Sequence, residues 1–343
     1  MDSPISPVAS VGKAGNRPAL SARRAAATAI ILVLALVPVI AAIAGQPFYV
    51  TLISRMMIFA LAALGLNLIL GYGAMVSFGH ALYIGVGAYA VGILSFYGIT
   101  NGYAHVATAL AAGFVIATLV GAICLRTSGV AFIMITLAFA QMFYFLAVSL
   151  KQLGGDDGYG LPSRSDFVVI DLGNNTTFYY VIFAVLLLIL FFFLRLIHAP
   201  FGVALRGCKQ NERRMRAMGF ATGRIKLVAY VISALTCVLA GVLLANLTRF
   251  VSPSYMNWTT SGDILLMVVL GGMGTLIGPI LGAIAWLSLE EVLSSFSIGL
   301  PGGADEFVRD HWMIVLGAVV IVAALRLKSG LYGHLVDRSE AAP

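Results

Sequence analysis

Asn67, Ser77 and His80 stand around two glycines, Gly71 and Gly73, in a stretch that is otherwise apolar. An amide, a hydroxyl and an imidazole at this spacing can hydrogen-bond a polar solute or pass a proton, and all three are costly in hydrocarbon. Thr136 and Gln141 share a second apolar run, and Asn246 and Thr248 close a third. Each also has a plainer use. Serine and threonine in apolar helices bond back to the carbonyl one turn earlier, and polar side chains tie neighbouring helices together. His80 has no acidic residue in its own run, so the acid–base pair of an intramembrane enzyme is missing there.

Other chemistries find less support. The five histidines (80, 105, 198, 311 and 334) are scattered, with no HExxH pair, so neither a metal site nor a cofactor is expected. The three cysteines, Cys124, Cys208 and Cys237, are odd in number and lack a CxxC spacing, which argues against structural disulfides. Gly202 and Gly207 have the spacing of a phosphate-binding loop, but Cys208 and Lys209 follow where lysine and a hydroxyl residue are needed. "GVGAYA" at 85–90 imitates a dinucleotide fingerprint without the strand–helix context. The chain therefore has no evident means of hydrolysing ATP.

Two further patterns carry information. "LGYGAMVSFG" (70–79) and "LGGMGTLIGPILG" (270–282) are glycine-interrupted apolar segments, one in each half, and such pairs point to a solute path built from discontinuous helices. Gly271, Gly272 and Gly274 thereby join Asn67, Gly71, Gly73, Ser77, His80, Thr136 and Gln141 as path candidates. "PFGVALRGCKQNERRMRAMGF" (200–220) spaces Leu205, Cys208, Met215 and Met218 along one helical face among basic residues, as a surface helix that docks a partner would. No charged residue is expected centrally in a span, Arg55 and Asp263 being read as lying near ends. A proton-coupled pump normally needs a buried carboxylate, so this counts against one.

These features need helices in a bilayer to hold them. The chain has 343 residues, 60% hydrophobic and 10% charged, against about 25% charged in soluble domains. Apolar runs of spanning length fall near 26–44, 50–70, 74–97, 104–125, 128–150, 177–197, 227–248, 275–297 and 309–326, with a shorter one at 263–274. The first run exceeds a signal-peptide core and reads as an uncleaved helix. The reading is an all-α, polytopic bundle of about ten membrane elements with glycine-broken helices.

Net charge is +7, but the basic residues sit in loops, which fits the positive-inside rule and not nucleic-acid binding. The arm 1–25, the loop 195–226 and the tail 327–343 are expected on the cytoplasmic side of the permease region 26–326. The acidic loop 151–176 is expected outside, and counting 263–274 as a crossing makes the parity consistent.

"GLNLILGYGAMVSFGHALYIGVGAYA" (65–90), "RTSGVAFIMITLAFAQM" (126–142), "GGDDGYGLP" (154–162), "FGVALRGCKQNERRMRAMG" (201–219) and "DILLMVVLGGMGTLIGPILGA" (263–283) occur in that order. Together they resemble the branched-chain amino acid ABC transporter permeases of LivM type, over roughly residues 50–326. The resemblance implies an importer permease in a bacterial inner membrane. It would work with a sister permease, two ABC ATPase subunits and an extracytoplasmic solute-binding protein. It also places the ATPase-coupling loop on Arg206, Asn211, Glu212, Arg213 and Gly219. Gly207 departs from the usual pattern, and a coupling helix starting later than usual is expected from its poor helix propensity. Urea, amide and other small-solute permeases share the scaffold, and a stand-alone transporter or channel is the rival from another class.

Overall fold

A chain of this composition must satisfy every backbone N–H and C=O internally, which helices do within one segment. A computed structural model describes residues 17–43, 45–167, 172–295, 312–326 and 330–334. Most of the N-terminal arm, much of the tail, and Asp171, Asp305 and Glu306 fall outside the described residues, so the charge-based expectations that used them do as well.

The helices are α1 (Arg17–Ile43), α2 (Phe48–Gly71), α3 (His80–Phe96), α4 (Gly102–Cys124), α5 (Val130–Ser149) and α6 (Asn175–His198). They continue with α7 (Pro200–Gln210), α8 (Glu212–Ala217), α9 (Thr222–Thr248), α10 (Trp258–Gly271), α11 (Gly278–Ser294) and α12 (Trp312–Arg326). Two short strands, β1 (Tyr159–Gly160) and β2 (Phe250–Val251), pair antiparallel at the end of the bundle opposite α7 and α8. Among the described residues, α2, α4, α5, α6 and α9 are each long and apolar enough to cross a membrane. At about 1.5 Å per residue, α3 and α10 reach only about 25 and 21 Å, short of a ~30 Å core.

α2 and α9 form the centre and run antiparallel. Ser233 Oγ donates to Gly65 C=O (2.6 Å), and the Cys237 thiol approaches Ala62 C=O (3.6 Å). Most of each helix is buried, whereas α4, α5 and α6 present Phe114, Phe145 and Phe191 outward, as helices in contact with lipid do. Around this pair the packing repeats. α3 and α4 pack on α9 as α10 and α11 pack on α2; α3 packs on α4 as α10 does on α11; α5 touches α3 and α4 as α12 touches α10 and α11. Among the described residues, segments α2–α5 and α9–α12 thus follow one four-helix plan in reversed orientation, the arrangement of inverted-repeat transporters.

The repeat pairs different breaks from those paired by sequence. After α2 the chain is non-helical through Tyr72–Gly79, and after α9 it is irregular through Arg249–Asn257. Ala74 (φ 54°) and Arg249 (φ 51°), the non-glycine residues in left-handed conformation among those described, lie one in each of these breaks. Irregular backbone at membrane depth survives only where protein covers it. Here α3 supplies the cover: Val251 faces Gly92, Met256 faces Gly85, and Ser261 Oγ accepts from Ala81 N (3.0 Å). Ala81 and Gly85 therefore contact this segment and α10. α3 meets α9 closely at Gly87 and Gly241 instead, where an added Cβ would overlap the carbonyls of Val238 and Ile84.

Candidate functional site

His80 opens α3, and its ring is fully buried. Nε2 lies 2.9 Å from Ser233 Oγ and Nδ1 lies 2.9 Å from Ser77 Oγ. Ser233 uses its one proton on Gly65 C=O, so Nε2 must donate to Ser233 and Nδ1 must accept from Ser77. Ser77 Oγ in turn accepts from Gly79 N (3.2 Å). A neutral imidazole closes this chain with no donor or acceptor left over, and the Tyr83 and Tyr230 rings pack edge-on against it. His80 and Ser77 thus tie the start of α3 to α9 and, through Ser233, to α2. Thr136 does similar work from α5: its Oγ1 accepts from Phe78 N (3.2 Å) and donates to Ile133 C=O (2.9 Å). Gln141 differs, because its Nε2 is buried without a hydrogen-bond partner.

The two glycine-rich breaks meet. Asn67 Nδ2 donates to Thr275 C=O (2.7 Å), and its Oδ1 accepts from Gly274 N (2.9 Å). An added Cβ on Gly71 would overlap Asn67 Oδ1 and lie 2.5 Å from Gly274 N, so only glycine lets α2 and the α10–α11 turn approach this closely. The turn itself requires glycine, with Gly272 at φ 119° and Gly274 at φ 77°. Gly271 ends α10 against the Gly278 carbonyl, and Gly73 N donates to Ile69 C=O (3.1 Å) as α2 terminates. Asn67, Gly71, Gly73, Gly271, Gly272 and Gly274 therefore form one junction, at the α7 end of the bundle.

That junction is connected to the basic loop. Lys209 Nζ on α7 donates to Gly71 C=O (2.7 Å), a cation on the negative end of α2. α7 starts at Pro200 and passes through Gly207, contrary to the expected later start. The interruption falls at Asn211, whose Oδ1 accepts from Arg214 N (2.9 Å) and caps α8. Gly207 is needed for packing: a Cβ there would sit 2.7 Å from Met215 Sδ, so its absence lets α8 fold against α7.

Leu205, Cys208 and Met215 face inward, as the periodicity predicts, but Met218 is 58% exposed. α8 ends at Ala217, and Met218 follows the last turn off the buried face. Glu212 also points inward. It accepts from Arg216 Nη2 (2.6 Å) and Thr222 Oγ1 (3.2 Å) and pairs with Lys226 at the start of α9. Burial alone would raise its carboxyl pKa, but the bonds and charges of Lys226 and Arg216 outweigh this and hold it below the ordinary range. Arg206 Nη2 donates to Ile197 C=O (3.2 Å), while Arg213 and Gly219, the latter at φ 87°, are exposed.

Sequence reasoning misses one group. Arg55 on α2 lies 3.8 Å from Glu290 on α11, and Asp263 on α10 is within electrostatic range of both. Arg55 and Asp263 each read as an end residue of an apolar run, and Glu290, next to Glu291, as part of an outer acidic set. Only the packing of α10 and α11 onto α2 brings them together. Charges interrupting three otherwise apolar runs are the available signal.

Residues 48–324 match the profile of a family described as "Branched-chain amino acid transport system / permease component". The chain is 28% identical over 303 residues to the high-affinity branched-chain amino acid transport system permease protein LivM of Escherichia coli (strain K12), covering 80% of this chain and 68% of that protein. It is 26% identical over 294 residues to LivH of the same organism, covering 80% and 91%. A shorter match, 30% over 125 residues and 34% of each chain, is to the autoinducer 2 import system permease protein LsrC of Enterobacter sp. (strain 638). No solved structure matches.

Proposed function

The chain belongs to the branched-chain amino acid transport system permease family, and on that premise we propose that it is the membrane path of an ABC importer for branched-chain or related small amino acids. It works with a sister permease, two ATPase subunits and an extracytoplasmic solute-binding protein. The chain is an integral inner-membrane protein, and its α7–α8 end faces the cytoplasm, in keeping with Arg206, Lys209, Arg213, Arg214 and Arg216 there. α3 and α10, each too short to cross alone, complete a set of ten membrane elements together with the irregular segments beside them.

The observation that carries this reading is the link from α8 to the core. Met218 and Phe220 are exposed apolar side chains in a segment that also exposes Arg213, Arg214, Arg216 and Arg224, a composition suited to an apolar groove with an acidic rim. α8 packs on α7 across Gly207, and α7 holds the end of α2 through Lys209. Displacement of the docked helix by ATP-driven closure of the partners would thus reach the Asn67–Gly274 junction and bias the path between its two openings. Glu212, turned toward α9, stiffens the loop and leaves the contact to its neighbours.

The test is a complex purified with its ATPase subunits and reconstituted with the binding protein. Phe220→Asp with Arg213→Glu should abolish binding-protein stimulation of ATPase activity and leucine uptake while the chain still inserts. Wild-type stimulation in that variant would overturn the coupling assignment. Uptake of leucine, isoleucine and valine against autoinducer-2-like and amide solutes decides the substrate class.

A further inference from the structure

Charged side chains inside a bilayer are expensive, so their placement is informative. On α2–α6 and α9–α11, leaving aside first and last turns and the Glu212-paired Lys226, the charged residues are Arg55, Asp263 and Glu290, with Glu291 next to Glu290 opening the last turn of α11. They converge from three helices. At about 1.5 Å per residue, Asp263 stands about 12 Å along α10 from Gly271, Glu290 about 18 Å along α11 from Gly278, and Arg55 about 24 Å along α2 from Gly71. Measured from the junction at the α7 end, the group therefore runs from about the middle of a ~30 Å apolar layer toward its outer side.

It is also open sideways. The Arg55 side chain is 44% exposed and that of Glu290 29%, and their separation of 3.8 Å leaves the pair loosely joined. Thr259 and Trp258, four and five residues before Asp263 on α10, are exposed, whereas α3, the repeat counterpart of α10, is buried along most of its length. Lipid tails are poor neighbours for a guanidinium and two carboxylates, which favours a water-lined face here.

We infer that Arg55, Asp263 and Glu290 form a polar station on the wall of the transport path, taking the ammonium group of a zwitterionic amino acid on the carboxylates and its carboxylate on the guanidinium. The inference rests on the reading of the chain as an amino-acid permease. Two carboxylates and one guanidinium leave one negative charge in excess, which the incoming ammonium neutralises. The guanidinium offers the planar fork that carboxylates accept. A small zwitterion thus replaces its hydration shell with partners of opposite sign while crossing the apolar layer.

The test uses the complete transporter with its partners in membrane vesicles. Leucine uptake by the wild type is measured first; its absence for every branched-chain amino acid would overturn the permease reading itself. With wild-type uptake in hand, Asp263→Asn and the double variant Arg55→Gln/Glu290→Gln should each lower uptake at least tenfold, with ATPase subunits still bound. A purely structural charge cluster predicts the opposite for the triple variant Arg55→Gln/Asp263→Asn/Glu290→Gln, since removing all three charges leaves nothing unpaired, and uptake within twofold of wild type in that variant would overturn the inference. Should these variants fail to insert, Thr259→Cys keeps the three charges intact. A membrane-impermeant charged thiosulfonate should modify the introduced thiol and block uptake, and excess leucine should slow the modification. Failure of the reagent to modify the Thr259→Cys variant in an active transporter would refute a water-filled path along this face.

Discussion

His80 offers the sharpest separation between a side chain that handles solute and one that holds helices. Replacing it by alanine removes a buried ring and two hydrogen bonds, to Ser77 and Ser233. Aromatic-to-alanine truncations cost about 3–5 kcal/mol, and the imidazole, smaller than a phenyl ring, belongs near 3. Side-chain bonds between membrane helices average about 0.6 kcal/mol, so two add about 1, for a total near 4 kcal/mol. Ser233 keeps its bond to Gly65 C=O, whereas the Ser77 hydroxyl keeps its bond from Gly79 N but loses the acceptor of its own proton, a stranded donor that puts the loss at or above this figure.

Unfolding of the purified chain in a denaturing-detergent titration, followed by helicity, should show the drop. His80→Gln, which can still bond one serine, should lose about half as much. Uptake per inserted chain should fall less than stability does and should not titrate near pH 6.5, the ordinary histidine range. Protonation would require Nδ1 to donate to Ser77, whose oxygen already accepts from Gly79 N and whose own proton would lose its acceptor. A variant with wild-type stability and lost uptake would refute the structural role. So would an uptake midpoint near pH 6.5 that vanishes in His80→Gln.

Two further outcomes follow from the junction and the loop. Asn67→Leu strands Gly274 N–H and Thr275 C=O; at about 1–3 kcal/mol per buried unsatisfied group, it should cost about 2–6 kcal/mol. Asn67→Asp should be no better, because its carboxylate would face the Thr275 carbonyl, and unfolding titrations of both variants check this. Glu212 has a folded-state pKa held below its unfolded value, so its contribution is present above the unfolded carboxylate range and is lost as pH falls through the folded pKa. Binding-protein-stimulated ATPase activity should therefore weaken on acidification below about pH 4.5 in wild type, and Glu212→Gln should show the weakened state already at neutral pH. A Glu212→Gln complex with wild-type stimulation would count against the loop being stiffened from α9.

How much is readable beforehand differs by residue. The break at Gly71–Gly73, the turn at Gly271–Gly274 and the surface helices at 200–217 are visible because glycine, backbone polarity and amphipathic spacing act locally. The inward face of Leu205, Cys208 and Met215 follows from the same spacing. Met218 does not, because the helix ends one residue before it and periodicity carries no information past a terminus. The second irregular segment at 249–257 is hidden, since Val251, Pro253 and Met256 look like an ordinary loop until Gly92 and Gly85 of α3 are placed against them.

Composition by itself determined that this chain lives in a bilayer as helices, because 10% charged residues cannot solvate a surface and hydrocarbon forbids unpaired backbone. The order of its motifs determined the family. Tertiary structure alone decided what the polar residues do. His80, Ser77, Thr136 and Asn67 spend their hydrogen bonds on distant backbone and side chains, and those partners are unknown until α2, α9 and the α10–α11 turn are in place. Arg55, Asp263 and Glu290 become one site for the same reason. Charge interactions depend on separation in space, and residues more than two hundred positions apart in sequence meet only when α10 and α11 pack on α2.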